Sequence, residues 1–213
     1  MKSSQKIVVF GASGRVGSLV VKYALDAGYD VVAFVHRHHQ LPDNPALTII
    51  QGDIYVTEDV LNAIKGVDIV VSALGSWGTK RKDVLSSAMA SIIPAMQQHG
   101  VTRIVSLTGA EARASGDHLG IIHRFAHVGI GMTAGKILRD GERHIEALEQ
   151  SRLDWTVIRS PIMTSRPVQK YTLSNHRPTP WALIQRTAVA RAMVDQLSDE
   201  TYIRQAPFIH RSR

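Results

Sequence analysis

An α/β fold built on a doubly wound parallel sheet is predicted by three observations in this 213-residue chain. Short apolar runs alternate with segments of helical period from the first residues to about Asp154. The runs are continuous rather than alternating, which is the pattern of strands buried on both faces. Because a helical segment separates most runs from the next, successive strands connect by right-handed crossovers and lie parallel.

Taken in order, Ile7-Val8-Val9-Phe10 is the first strand, ended by glycine. Val16 to Ala27 follows with helical spacing and closes at Gly28. Val31 to Val35 is a second strand and Leu47 to Ile50 a third. Glu58 to Lys65 reads as a helix with Thr57 as its N-cap. Asp68 to Ser72 is the fourth strand, Asp83 to His99 a helix ending at Gly100, and Arg103 to Leu107 the fifth strand. A long helix is expected over Ala134 to Gln150, with Gly141 its weak point. Trp155 to Arg159 is the sixth strand.

After Pro161 the pattern changes. Pro161, Pro167, Pro178 and Pro180 break the segment. A short strand at Tyr171-Thr172-Leu173, a helix capped by Thr187 and running through Leu197, and a last strand from Tyr202 to Ile209 are expected. About 50 residues are too few for an independent core. The chain is therefore read as a single domain over residues 1–213, with 160–213 a small segment covering substrate at the C-terminal edge of the sheet.

Composition narrows the function classes. Hydrophobic residues make up 44% and charged residues 20%, an ordinary globular balance. No apolar run approaches the roughly 18 residues of a membrane span. Met1 to Lys6 leads straight into a strand and a glycine turn, unlike a signal peptide. With no cysteine there is no disulfide framework, thiolate nucleophile or cysteine metal site. A cytoplasmic protein, monomer or homodimer, is the simplest reading. The net charge of +7 raises nucleic acid as a partner, but the basic residues are scattered, and aromatics are only 6%. No nucleic acid and no membrane is expected as a partner.

The most specific motif is Gly11-Ala12-Ser13-Gly14-Arg15-Val16-Gly17. The first glycine permits a tight turn, the second lets the backbone approach a pyrophosphate, and the third lets helix pack on strand. The helix N-terminus then offers unpaired N–H groups and a positive dipole end to phosphates. Since the three glycines follow a buried strand and open a helix, the context of a Rossmann dinucleotide site is complete. An NAD site usually places Asp or Glu at the end of the second strand. This chain has His36-Arg37-His38-His39 there, with no acid before Asp43. Arg37 can pair bidentately with a 2′-phosphate, and Arg15 can reach the same group. Local charge therefore favours NADP, with NAD still open.

Two histidine sets raise the question of a metal. His36, His38 and His39 cluster in sequence, and His123 and His127 have the i, i+4 spacing of two ligands on one helix face. No carboxylate partner is evident for either set, and no metal site is expected.

These blocks resemble the atypical short-chain dehydrogenase/reductase group of NAD(P)H-binding proteins, which includes NmrA-like proteins and the flavin/biliverdin-IXβ reductases. The resemblance rests on the Lys6–Gly17 block, Gly28-Tyr29-Asp30-Val31-Val32, Gly52-Asp53, Val70 to Gly75, Gly100-Val101 to Ala110, and Leu153 to Arg159. It implies that Asp53 and Ile54 border the adenine, that Ala73, Leu74 and Gly75 pass along the dinucleotide, and that Thr108 with Pro161-Ile162 flanks the nicotinamide. From the residues alone, Asp53 is equally an ordinary turn aspartate.

The chain departs from the wider superfamily where the proton would be handled. The usual Tyr–x–x–x–Lys pair is missing: Lys136 has Met132 four residues before it, and the expected lysine position falls at Gly141. In Ser106-Leu107-Thr108-Gly109 the second of two hydroxyl residues is absent. The arginine that closes the second strand in NADP-binding reductases aligns with His36, and Arg37 stands one place later.

Two functions are compatible with this pattern. The first is an NADPH-dependent oxidoreductase passing hydride to a small aromatic acceptor such as a flavin or quinone. That chemistry needs orientation more than an acid. Thr108 is then the catalytic candidate beside the nicotinamide, and Trp77 and Trp181 are candidate flat walls. The second is a non-catalytic NADP-binding sensor of NmrA-like type.

Overall fold

The computed structural model describes residues 4–37, 40–77, 79–118, 120–165 and 170–212. In chain order the elements are β1 (Lys6–Phe10), α1 (Gly17–Asp26), β2 (Asp30–Val35), β3 (Leu47–Gln51), α2 (Thr57–Ile64), β4 (Ile69–Ser72), α3 (Val84–His99) and β5 (Arg103–Gly109). They continue with α4 (Ile121–Glu149), β6 (Asp154–Ser160), β7 (Ile162–Thr164), β8 (Tyr171–Ser174), β9 (Leu183–Gln185), α5 (Arg186–Asp195) and β10 (Phe208–Arg211).

Eight strands form the main sheet in the order β3-β2-β1-β4-β5-β6-β10-β8. All pairs are parallel except β10 with β8. The order reverses beside β1, so the loops leaving β1 and β4 part there and open a crevice at the strands' C-terminal ends. This is the Rossmann-like doubly wound arrangement expected from the continuous apolar runs.

The central strands read as unbroken apolar runs because both of their faces are covered, whereas edge strand β3 leaves Ile49 exposed. Ile7 and Val9 of β1, with Val105 and Leu107 of β5, join a core that includes Val20 and Val21 of α1 and Val189 and Met193 of α5. Val8, Phe10 and Ile104 point the other way, into a core with Val60 and Ile64 of α2, Met89 and Met96 of α3, and Ile145 and Leu148 of α4. Phe10 and Phe34 meet there at a ring separation of 5.1 Å and a tilt of 56°, a favourable aromatic geometry.

The first six strands, α1 and α3 lie within two residues of expectation, and five details are corrected. Thr57 is the first residue of α2 rather than its cap; Val56 holds the cap position without a side-chain bond. α4 begins at Ile121, well before Ala134, and Ala134 itself (φ −134°, ψ 28°) marks a kink joining two helices end to end. Gly141 is no weak point: the helix runs through it. Thr187 does not cap α5, where Gln185 takes that position, and the Thr187 hydroxyl is buried without a hydrogen bond. The last strand is Phe208–Arg211, because Tyr202 to Arg204 lies in a turn with Arg204 at φ 56°.

The segment after Pro161 also builds more structure than expected. β10 lies beside β6, β8 beside β10, and α5 packs on the α1 face of the sheet. β7 and β9 form a separate two-stranded parallel pair, with Ile162 opposite Leu183. No sequence signal marked those three-residue strands.

Candidate functional site

The glycine turn leaves β1 with Gly11 at φ +78°, in the left-handed region. A Cβ on Gly11 would also lie 2.9 Å from the Ala73 carbonyl oxygen, so the loops after β1 and β4 touch here. Gly17 is needed for a different reason. Its Cβ would fall 2.0 Å from the Gly11 carbonyl oxygen, so no other residue lets α1 start against the turn. The Gly14 N–H donates to Gly11 O at 2.9 Å and closes the loop.

Burial divides the turn by role. Ala12, Val16 and Gly17 face inward, while Ser13, Gly14 and Arg15 are exposed. The first amide of the α1 region to bond back by four is that of Ser18, to Gly14 O at 2.9 Å. Among the described residues, the N–H groups of Arg15 and Val16 have no backbone acceptor. Free amides and the positive end of α1 therefore meet at the crevice, a setting that fits an anionic diphosphate.

His36 and Arg37 follow β2 and are both exposed. His36 Nδ1 lies 3.4 Å from Gly52 O. Neither Arg15 nor Arg37 makes an ion pair among the described residues, which leaves both guanidinium groups available to a phosphate. His38 and His39 lie outside the described residues.

Asp53 and Ile54 form the turn between β3 and α2. The Asp53 carboxylate accepts the Tyr55 N–H at 3.0 Å, and its own N–H donates to Asp59 at 2.8 Å. Asp53 is thus a turn-forming aspartate, with one carboxylate oxygen engaged by the backbone. Ile54 is 9% exposed. Ala73 continues the β4 pairing by donating to Phe10 O at 2.9 Å; Leu74 is half-buried and Gly75 exposed.

Thr108 and Pro161 end up on neighbouring strand exits. Thr108 pairs in register with Arg159, Gly109 with Ser160, and buried Pro161 comes next. Thr108 is 6% exposed. A Cβ on Gly141 would lie 2.7 Å from the Thr108 hydroxyl and 3.0 Å from the Ala112 methyl. Gly141 is thus a close contact between α4 and the end of β5, which is why the glycine sits mid-helix.

Three groups near this edge were not foreseen from sequence. Asp140 of α4, 3% exposed, accepts the N–H groups of Leu85 and Ser86 at 3.0 and 2.9 Å, the Ser86 hydroxyl at 2.7 Å, and the Ser76 hydroxyl. One turn on, His144 is fully buried, and neither ring nitrogen has a hydrogen-bond partner. Burial holds its pKa down to about 4, with Asp140 pulling the other way.

The third group is ionic. Arg159 donates to Asp117 and to Ala206 O (2.7 Å), and its guanidinium stacks 3.7 Å from the Phe208 ring centre. Burial lowers its pKa, and Asp117 opposes that shift. Arg177 donates to the same Asp117 at 2.7 Å. The partners are 42 and 60 residues apart in sequence, so no local motif marks them. The expectation that His123 and His127 lack carboxylate neighbours is also corrected: His123 Nδ1 lies 3.8 Å from Glu111 and His127 Nε2 lies 3.7 Å from Glu142.

The NAD(P)H-binding family matches residues 11–200. The phenylcoumaran benzylic ether reductase TP7 of Nicotiana tabacum is 33% identical over 86 residues, which are 35% of this chain and 28% of that protein. The chain thus aligns with under a third of that relative's length. Among solved structures, a wide-type short-chain dehydrogenase/reductase from Veillonella parvula in complex with NADP is similar at a TM-score of 0.76. Its identity is 19%, over 97% of this chain and 94% of that one. ChuY, an anaerobillin reductase from Escherichia coli O157:H7, is similar at 0.77 with 17% identity over 97% of both chains. These two share the fold; with the family match running from the glycine turn through α5, the chain belongs to the NAD(P)H-binding family.

Proposed function

We propose that this protein is an NADPH-dependent reductase that passes hydride to a flat, apolar acceptor such as a flavin or quinone. The observation that carries the reading is an exposed apolar shelf beside Pro161. Ile162 (59% exposed) and Leu183 (52%) face each other across the β7–β9 pair, and Trp181 (68%) stands two residues before Leu183. Large apolar side chains left in water on a strand exit mark a binding surface more than a packing accident. Trp77 (72% exposed), on the loop after β4, offers a second flat face.

In this reading Gly11 to Gly17 hold the diphosphate of the cofactor through backbone N–H groups, and Arg15 and Arg37 pair with its 2′-phosphate. His36, Asp53 and Ile54 border the adenosine half, and Ala73, Leu74 and Gly75 run beneath the dinucleotide. Thr108 and Pro161 flank the nicotinamide, which supplies hydride when bound in reduced form. The shelf then orients the acceptor and excludes water from one side of it. A flavin or quinone takes the hydride as two electrons and a proton, and any second proton comes from solvent. No tyrosine–lysine pair is required. The curated relative and ChuY both carry reductase names, which supports the reading. NADPH oxidation measured at 340 nm with FMN, FAD and small quinones tests it; tight NADP binding with no turnover on any acceptor refutes it.

One observation favours a second reading. Thr108, the hydroxyl candidate beside the nicotinamide, is packed against Gly141, where the family resemblance would put a lysine. A protein built this way is suited to binding the cofactor without chemistry, as an NADP-responsive sensor, and the same assay separates the two.

A further inference from the structure

A groove of about 380 Å³ lies where α3 begins and α4 passes it, lined by Lys82, Asp83, Lys136, Arg139, Asp140 and Arg143 among others. Lys136, Arg139 and Arg143 are exposed and spaced i, i+3, i+7, so they stack as one cationic stripe on α4. The two acids in the groove are already engaged. Asp140 is taken up by the α3 amides and two serine hydroxyls, and Asp83 by Arg81, at 3.2 and 3.1 Å. Among the described residues no acid pairs with Lys82, Lys136, Arg139 or Arg143.

Like charges one turn apart destabilise a helix unless something answers them. Asp83 and Asp140 line the same groove but are engaged elsewhere, so its cations keep an unpaired surplus of positive charge that suits an anion from outside. Two arginines one turn apart match the oxygens of a phosphate better than a single carboxylate. Lys82, donating to the Ser76 and Thr79 carbonyls, is fixed by the loop that follows β4.

Position ties the groove to the crevice. Asp140, which lines it, bonds to Ser76 just after β4 and precedes Gly141, which abuts Thr108. We propose that this groove binds the phosphate monoester of a phosphorylated aromatic acceptor whose ring lies at Thr108 and Pro161. The inference rests on the reductase reading for the acceptor's identity, and its test separates the two.

FMN and riboflavin differ by that phosphate alone. With the protein saturated with NADP, so that the glycine turn is filled, binding of each flavin is followed by fluorescence quenching. FMN is expected to bind at least tenfold tighter than riboflavin. The double variant Arg139→Ala, Arg143→Ala is expected to bring the two flavins within about twofold of each other, with NADP affinity retained as the check on folding. Equal binding of both flavins by the unaltered protein, failure to bind either, or an FMN preference that survives in the variant each overturns the groove assignment. An FMN preference lost in the variant, without NADPH oxidation by the unaltered protein, upholds the groove and refutes the reductase reading.

Discussion

Asp140 takes both the backbone N–H and the hydroxyl of Ser86, at 2.9 and 2.7 Å, across 54 residues of sequence. The N-terminus of α3 is thus capped by a side chain of α4 rather than by its own preceding residue, since Asp83 makes no side-chain cap bond. A carboxylate there answers both the free amides and the helix dipole.

Replacing Asp140 by alanine strands buried donors at Leu85 and Ser76 and half-buried ones at Ser86. Asp140→Ala is expected to lower unfolding free energy by about 2–4 kcal/mol. Urea denaturation should show an earlier midpoint with unchanged slope. A loss within about 0.5 kcal/mol, the usual range for a surface substitution, would mean that the cap contributes little.

His144 makes stability pH-dependent in a defined window. Its folded pKa is about 4, below the ordinary 6.5. Between those values the unfolded chain binds a proton that the native chain does not, so stability falls as pH drops from 6.5 towards 4. The full loss is on the order of 3 kcal/mol. His144→Leu should flatten this part of the stability–pH curve, measured by urea titrations at pH 7, 6, 5 and 4. An unchanged slope in the variant would assign the dependence to other groups.

The glycine turn permits a split between fold and ligand. Gly17→Ala sets a methyl 2.0 Å from Gly11 O, so both thermal stability and NADP binding should fall. Gly14 is exposed, and its Cβ meets only Gly11 O, at 3.0 Å. Gly14→Asp should therefore leave a cooperative melt while abolishing NADP binding by calorimetry, because it sets a negative charge where phosphates are expected. Unchanged affinity would remove the site from the turn.

Arg37 has no partner to lose within the described chain. Arg37→Ala should weaken NADP on the order of tenfold while NAD changes little, the loss of one charged hydrogen-bonding group. Equal losses for both cofactors would place the 2′-phosphate elsewhere, with Arg15 the next residue to replace.

Much of this architecture is legible in the sequence because burial on both faces writes strands such as Ile7–Phe10 and Val157-Ile158 as plain apolar runs. The glycine turn is equally legible, since its three glycines answer to geometry that other residues cannot meet. The first half of α4 is hard to read because Gly129, Gly131 and Gly135 lower helix propensity. Thr57 and Thr187 fit a cap by local chemistry alone, yet Val56 and Gln185 hold those positions, because neighbouring sequence does not show what else meets the amides. The Arg159–Asp117–Arg177 cluster and the Asp140 cap are set by pairs 42 to 64 residues apart, a range at which spacing carries no signal.

The placement of β10 between β6 and β8 has a consequence for synthesis. As β6 leaves the ribosome its outer edge is open, and Arg159 has neither the Ala206 carbonyl nor the Phe208 ring to meet. The glycine turn rests on β1, whose sheet neighbours β2 and β4 are made well before β10. Until Phe208 to Arg211 is made, the outer edge of β6 is open to edge-to-edge association.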